Sequence, residues 1–143
     1  LEHLVYCALG GTGESRMYGR KQSDWRFKSV SREQALSWLG DYVEAYRLGM
    51  TEPLWLLNKS GGAWLDASFD SKSRQLLEDE ATQKKALNKL LQAWQGGFQV
   101  EGEGSDPYLQ RLCRTLDDDA VQAITAAARQ WYLPVRLAHQ DDE

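Results

Sequence analysis

The sequence has no run of about 18 apolar residues, and it does not open with a basic stretch followed by an apolar segment. These absences exclude a membrane-spanning helix and a secretory leader. Only two cysteines occur, Cys7 and Cys113, without the C-x-x-C spacing of a metal site. We therefore expect two buried thiols and neither a disulfide scaffold nor a zinc module. This composition predicts a cytoplasmic protein that does not contact a membrane.

Proline is also scarce, with three residues, and twelve glycines are too few for a disordered chain. A length of 143 residues is typical of one domain with one hydrophobic core. We therefore predict a single domain over residues 1–143. The first residues, Leu1 to Cys7, follow a helical pattern without an initiator methionine, which leads us to expect a piece of a longer protein.

Residues suited to catalysis are few. The two histidines, His3 and His139, lie at opposite ends of the chain, and the G-x-S-x-G pattern of a nucleophilic serine is missing. The glycine-rich segment from Gly10 to Ser15 follows a helix and lacks the lysine of a phosphate loop, so we interpret it as a helix end leading into a hairpin. We predict no catalytic, cofactor-binding or metal-binding residue.

One acidic pattern in the sequence has the residue types of a metal-dependent nuclease. Asp66, with Asp70 and Lys72, resembles the acid and D-x-K arrangement by which nucleases hold Mg²⁺. That chemistry needs the two acids on adjoining strands, whereas only three residues separate them in a turn-rich segment. We interpret the pattern as a chance match and keep a nuclease role for these three residues as a third hypothesis.

Positive charge is concentrated in one segment, although the chain as a whole has a net charge of −4. Between Glu14 and Arg32, six cations face two acids and alternate with Tyr18, Trp25 and Phe27. Cations neutralise phosphates and aromatic rings stack on bases, so this segment is a candidate for contact with nucleic acid. The alternative is a solvated hairpin whose aromatic rings join the core. The candidate contacts are Arg16, Arg20, Lys21, Arg26, Lys28 and Arg32.

The first half of the chain predicts two helices and a hairpin. A helix closes near Leu9, and residues 15–19 pair with residues 25–30, where Trp25 and Phe27 share one face. Ser31 begins a capping box for a helix that ends at Gly49. After it, we expect a buried extended segment at 53–57 and a turn at 60–62.

The second half predicts three further helices. Leu76 and Leu77 form a short helical turn, and the acids at 78–80 begin a helix that ends at Gly96. Residues 101–105 form a loop, and Asp106 then caps a helix. The last helix starts at Asp117 and ends at Leu133 and Pro134, and residues 135–137 form a short strand or an ordered tail.

These elements give an α+β fold in which helix predominates, with four or five helices packed on a small hairpin and one or two short strands. Six tryptophans are several times the usual number, and such large side chains must be covered. We expect some of them to fill the core and others to cover surfaces that meet another part of a larger protein.

Several segments together resemble one family. They read HLVYCALGG at 3–11, GESR at 13–16, YRLGMTEPL at 46–54, SGGAWL at 60–65, and GEG at 102–104 followed by YLQRL at 108–112. In this order and spacing they resemble the C-terminal end of RecC, the gamma chain of bacterial exodeoxyribonuclease V, over essentially the whole chain. None of the segments is a chemical signature alone, but the five in register make the resemblance specific.

The resemblance implies the last part of a restriction-endonuclease-like domain that has lost its metal-binding acids. It implies RecB-like and RecD-like partner subunits, with DNA bound by the whole complex in double-strand-break repair and recombination. The ATP and Mg²⁺ of that complex are expected to act on the other subunits, in agreement with the lack of a Walker motif in this sequence. The leading hypothesis is a non-catalytic segment for subunit assembly and strand guidance, and the second is a DNA-binding module at Arg16 to Arg32.

Overall fold

A computed structural model describes residues 1–19 and 24–140. The chain divides into two compact units, one formed by Leu1–Leu54 with the segment that begins at Arg136, and the other by Trp55–Val135. The helices are α1 (Glu2–Ala8), α2 (Arg32–Gly49), α3 (Asn58–Ser68), α4 (Glu80–Gln95), α5 (Pro107–Leu112), α6 (Asp118–Ala127) and α7 (Leu133–Ala138), with a 3₁₀ turn at Glu103–Ser105 and a π-helical turn at Ala128–Tyr132.

Within residues 1–19 and 24–140, the strands form three antiparallel two-stranded hairpins, where the sequence predicted one hairpin and one or two further short strands. Their members are β1 (Ser15–Tyr18) with β2 (Asp24–Phe27), β3 (Phe69–Asp70) with β4 (Gln75–Leu76), and β5 (Gly96–Gly97) with β6 (Val100–Glu101). The predicted helix-rich α+β fold is therefore confirmed. None of the helices in the described part of the chain combines the length and the apolar character needed to cross a bilayer.

The first unit is built on the hairpin β1–β2 and the pair α1–α2. Arg16 lies opposite Arg26 in the strand register, which confirms the predicted pairing. The predicted cap of α2 is also present, because the Ser31 hydroxyl accepts a hydrogen bond from the Gln34 amide at 3.1 Å. Helix α1 ends before Gly10, whose φ of 92° is the left-handed value that favours glycine.

The C-terminal segment adds to the same hairpin. His139 forms an antiparallel bridge with Phe27, and the Gln140 amide donates to the Arg26 carbonyl at 2.9 Å. The short strand predicted as one alternative at 135–137 is wrong, since these residues belong to α7, and the extended pairing begins only after that helix.

The second unit has a core between α3, α4 and α6. Trp64, Leu90 and Ile124 are its largest fully buried apolar side chains. Gly61 is buried on α3, where an added Cβ would lie 3.4 Å from the Tyr132 ring and 3.5 Å from the Ala128 Cβ. A Cβ at this position would thus make ordinary van der Waals contacts, and α3 packs closely here against the segment that follows α6.

Three predictions in the second unit are wrong. The glycines at 61–62 lie within α3, where the sequence predicted a turn. Leu76 belongs to β4 and is not part of a helical turn. The last helix does not end at Pro134, because the chain passes through the π-helical turn and continues as α7. The cap predicted at Asp106 and the helix starts predicted at 78–80 and at Asp117 are confirmed, since Asp79, Asp106 and Asp117 each accept a backbone amide hydrogen.

Candidate functional site

The basic hairpin brings together two of the six candidate cations. Arg16 and Arg26 face each other across β1 and β2, and the Nε atoms of both donate to Oε1 of Glu14, at 2.9 and 2.8 Å. The arginines lower the pKa of Glu14, mainly through the hydrogen bond from Arg26 and then through that from Arg16. One acid therefore binds both guanidinium groups, a pairing that the residue pattern of the sequence does not predict.

Lys28 and Arg32 do not lie at the cross-strand position of Arg16 and Arg26. Lys28 follows β2 with an exposed side chain, and Arg32 is exposed on the first turn of α2. Arg20 and Lys21 lie outside the described residues. The structure thus places Arg16 and Arg26 at one position and leaves Lys28 and Arg32 on the segment that leads from the hairpin into α2.

The aromatic rings of this hairpin face two environments. Trp25 and Phe27 stack with ring centroids 6.1 Å apart, and both are half-buried. Trp25 also packs against the buried His139 ring at 4.6 Å. Tyr18, by contrast, is 74% exposed. The predicted common face of Trp25 and Phe27 is confirmed, and of the three aromatic residues only Tyr18 has a largely exposed side chain for stacking on a base.

Both histidines belong to this unit, although they are far apart in sequence. His3 Nδ1 lies 2.7 Å from the Ser15 hydroxyl, and its Nε2 lies 2.9 Å from the Lys28 carbonyl. A carbonyl only accepts, so Nε2 of His3 carries a hydrogen. His139 Nδ1 accepts the Arg26 amide at 3.2 Å, so that nitrogen is unprotonated. The structure therefore uses both rings to fasten chain segments to the hairpin.

The glycine-rich segment folds back on α1. The Gly13 amide donates to the Tyr6 hydroxyl at 3.0 Å, and a Cβ on Gly11 would lie 2.4 Å from the Tyr6 ring. The Gly13 amide therefore binds a group of its own chain, in agreement with the interpretation of this segment as a helix end.

The two acids of the nuclease-like pattern, Asp66 and Asp70, lie in different local environments. Asp70 accepts hydrogen bonds from the amides of Lys72 and Ser73 and from the Ser73 hydroxyl, at 3.3, 3.1 and 2.6 Å, and the Ser73 bonds are the main cause of its lowered pKa. Asp66 is exposed near the end of α3. Within residues 1–19 and 24–140, no three His, Cys, Asp or Glu side chains come together to hold a metal ion. Asp70 thus supports the β3–β4 turn.

The two cysteine thiols differ in burial. Cys7 is buried as predicted, with its sulfur 3.6 Å from His3 Nε2. Cys113 is only half-buried and follows α5, where its thiol donates to the Thr115 carbonyl. The expectation of a buried thiol at Cys113 is therefore wrong, because α5 ends before this residue.

The largest exposed apolar residues are not tryptophans. All six tryptophans are buried or half-buried. Helix α2 instead exposes a row that we call the α2 stripe, in which Val43 is 60% and Tyr46 70% exposed. The members of the α2 stripe are Leu36, Val43 and Tyr46 on the helix and Met50, the residue directly after it. Their spacing follows the a and d positions of a heptad, which is the pattern of a helix that packs against another helix.

Comparison with known proteins identifies the family. Residues 1–69 match the family model described as the RecC C-terminal domain. The chain is 47% identical over 135 residues, which are 94% of its length, to the RecBCD enzyme subunit RecC of Escherichia coli (strain K12). The chain belongs to the RecC family. RecC subunits from two Buchnera aphidicola subspecies, from Acyrthosiphon pisum and Schizaphis graminum, are each 38% identical, over 94% and 98% of the chain.

The chain corresponds to a small part of these RecC subunits. It covers 12% of the Escherichia coli RecC and 12% and 13% of the two Buchnera proteins. The family model covers α1, the hairpin β1–β2, α2 and all of α3. The predicted resemblance to RecC is therefore confirmed.

Proposed function

We propose that the chain is a non-catalytic part of a RecC-like subunit, acting in assembly with RecB-like and RecD-like subunits and in guiding separated DNA strands. The observation that supports this most directly is its 47% identity to a protein named as a RecBCD enzyme subunit. We further propose that its segment ends a degenerate nuclease-like domain and acts in the cytoplasm. ATP and Mg²⁺ would then serve the other subunits of this helicase–nuclease during double-strand-break repair and recombination.

The α2 stripe supports the assembly role. Four apolar side chains on one helix face are exposed, and aromatic and methionine side chains are enriched where proteins meet. The remainder of the α2 surface is largely polar, as at Ser37 and Asp41. This arrangement suits a helix face that a partner subunit covers.

Co-purification tests the assembly role. The chain is co-expressed with tagged RecB-like and RecD-like subunits, and we expect it to remain bound through affinity and size-exclusion steps. Val43→Glu places a charge in the α2 stripe and should reduce recovery by at least ten-fold, since a buried unpaired charge costs several kcal/mol, roughly. Ser37→Glu, on another face of the same helix, should leave recovery unchanged. Equal recovery of both variants would contradict a role for the stripe.

A second candidate function is DNA binding by the basic hairpin. It is favoured by the placement of Arg16 and Arg26 at one cross-strand position beside the exposed Tyr18. We expect affinity for single-stranded DNA to fall steeply with salt and to weaken in Arg26→Ala and Lys28→Ala. Glu33→Gln, on α2, serves as a charge control. No binding at low salt would rule this function out.

A further inference from the structure

The hairpin holds two like charges at one register position. Arg16 and Arg26 are direct cross-strand partners, an arrangement that repels unless an anion lies between them. Glu14 supplies that anion with a single oxygen, Oε1, which accepts from both Nε atoms. Because the two bonds end on one atom, the two guanidinium groups converge on a common point.

The position of Glu14 makes this anion replaceable. Glu14 precedes β1, and the strand ladder begins only at Ser15 with Phe27. Its side chain can therefore turn away without loss of a ladder hydrogen bond. Solvent also reaches the group, since the side chain of Arg16 is half exposed and those of Arg26 and Glu14 are a third exposed.

A phosphate oxygen suits the same point. Carboxylate and phosphate oxygens are both anionic acceptors, and the planar guanidinium group binds either with short, charge-assisted hydrogen bonds. In a nucleic acid, further nucleotides follow on both sides of a bound phosphate. Tyr18 and Lys28 lie on opposite sides of the cross-strand position that carries the two arginines, so they are placed to meet these nucleotides.

We propose that Arg16 and Arg26 form a clamp for one phosphate of nucleic acid, and that Glu14 occupies this clamp as an internal anion until the phosphate displaces it. The nucleic-acid part of this proposal rests on the second candidate function. Glu14 thereby sets how readily the hairpin binds a strand, since every phosphate that enters the clamp competes with a carboxylate of the same chain.

The test compares Glu14→Gln with Glu52→Gln in the full chain of 143 residues. Both variants remove one negative charge, but Glu52 lies after α2, away from the hairpin in sequence. Binding of a fluorescent single-stranded oligothymidylate is measured over a salt titration. We expect Glu14→Gln to bind on the order of ten-fold tighter at low salt than Glu52→Gln, with a salt slope steeper by about 0.7, the contribution of one phosphate on a single strand.

Inorganic phosphate provides the second arm, followed by the ¹⁵N signals of the arginine Nε–H groups. We expect saturable shifts at Arg16 and Arg26 in Glu14→Gln, and loss of these shifts when Arg16→Gln is added. Backbone amide spectra show whether the hairpin is intact, and Glu14→Ser is used if the glutamine variant does not fold.

The outcomes separate the clamp from the DNA-binding function. If phosphate shifts the arginine signals but the oligonucleotide does not distinguish the two variants, the clamp binds free phosphate and its nucleic-acid role is wrong. If neither ligand distinguishes them while Arg26→Ala and Lys28→Ala still weaken DNA binding, the hairpin binds DNA without the clamp. A response to both ligands supports the proposal as stated.

Discussion

Glu103 stabilises the start of α3 from a distant part of the chain. The residue before α3, Leu57, offers no side-chain cap, and the amides of the first turn, which have no acceptor within the helix, require other acceptors. Glu103 Oε1 accepts the Lys59 amide at 3.0 Å and Oε2 accepts the Ser60 amide at 2.7 Å. A carboxylate at a helix N-terminus also interacts favourably with the helix dipole. We therefore predict that Glu103→Ala destabilises the second unit.

The expected loss follows from the two bonds. A hydrogen bond to a charged group contributes about 1.5–3 kcal/mol, and loss of a helix cap costs about 0.5–2 kcal/mol. The Lys59 amide is exposed, so water replaces its partner, whereas the Ser60 amide is partly buried. We expect Glu103→Ala to lower the free energy of unfolding of the second unit by about 2 kcal/mol and Glu103→Gln by about 1 kcal/mol.

The assay must report on the second unit alone. Hydrogen exchange of the α3 and α4 amides gives the local free energy of opening, and urea titration of these variants gives a comparison for the whole chain. Glu101→Ala is the matched control, because only the Glu101 carbonyl, and not its side chain, is bonded to Lys59. Surface substitutions usually change the free energy of unfolding by no more than about 0.5 kcal/mol. If Glu103→Ala and Glu101→Ala differ by less than that, Glu103 does not cap α3.

Three further predictions concern stability. Leu90→Ala removes a fully buried side chain and should lower the free energy of unfolding by about 2–5 kcal/mol, whereas Leu87→Ala on the exposed side of α4 should cost less than about 1 kcal/mol by urea titration. Gly96→Ala should lower the melting temperature and Gly97→Ala should not, because a Cβ at Gly96 meets backbone at 2.3 Å and its φ is 75°. The hydrogen bonds that Arg129 donates to Glu78 lower the pKa of Glu78. This ion pair therefore adds stability at pH values above the ordinary pKa of 4.5, and the added stability is lost as the pH falls through the lowered pKa. When the stability of Glu78→Gln is measured as the pH is lowered, this part of the decline in stability should be missing. Identical stability profiles for the variant and the unmodified chain would contradict the prediction.

The local signals of the sequence predicted the helix starts well. Ser31, Asp79, Asp106 and Asp117 lie next to the amides that they cap, so each signal is contained within a few residues. Alternation in β2 likewise predicted which aromatic side chains share a face. These features depend on neighbours in sequence, and the sequence alone therefore sufficed.

Helix α3 was missed because its determinants are distant. Its cap, Glu103, lies 44 residues after Lys59, and Gly61 is helical at a position where α3 packs closely against Tyr132 and Ala128. Glycine has low helix propensity, so its local pattern indicates a turn. Pro134 was misread for a related reason. The π-helical turn makes Leu133 the start of α7, and proline is tolerated in the first turn of a helix, where its missing N–H leaves no bond unmade.

The candidate site was predicted in composition but not in pairing. The segment of cations was evident, and Glu14 was counted beside it, yet the convergence of Arg16 and Arg26 on one oxygen depends on the register between β1 and β2. Likewise, the two histidines are remote in sequence, and their rings both come to lie near Phe27, at 5.8 and 6.3 Å. Register and long-range pairing are set by the whole unit, so single-residue patterns do not reveal them.

The bridge between Phe27 and His139 has a consequence for the order of events on the ribosome. Residues 55–135, which form the second unit, are contiguous, so they can fold as soon as they have left the exit tunnel. The first unit must wait until His139 and Gln140 emerge, since these residues complete the edge of β2. Until then β2 is an open strand edge, and nascent chains that stall in this interval are the ones most exposed to pairing with one another.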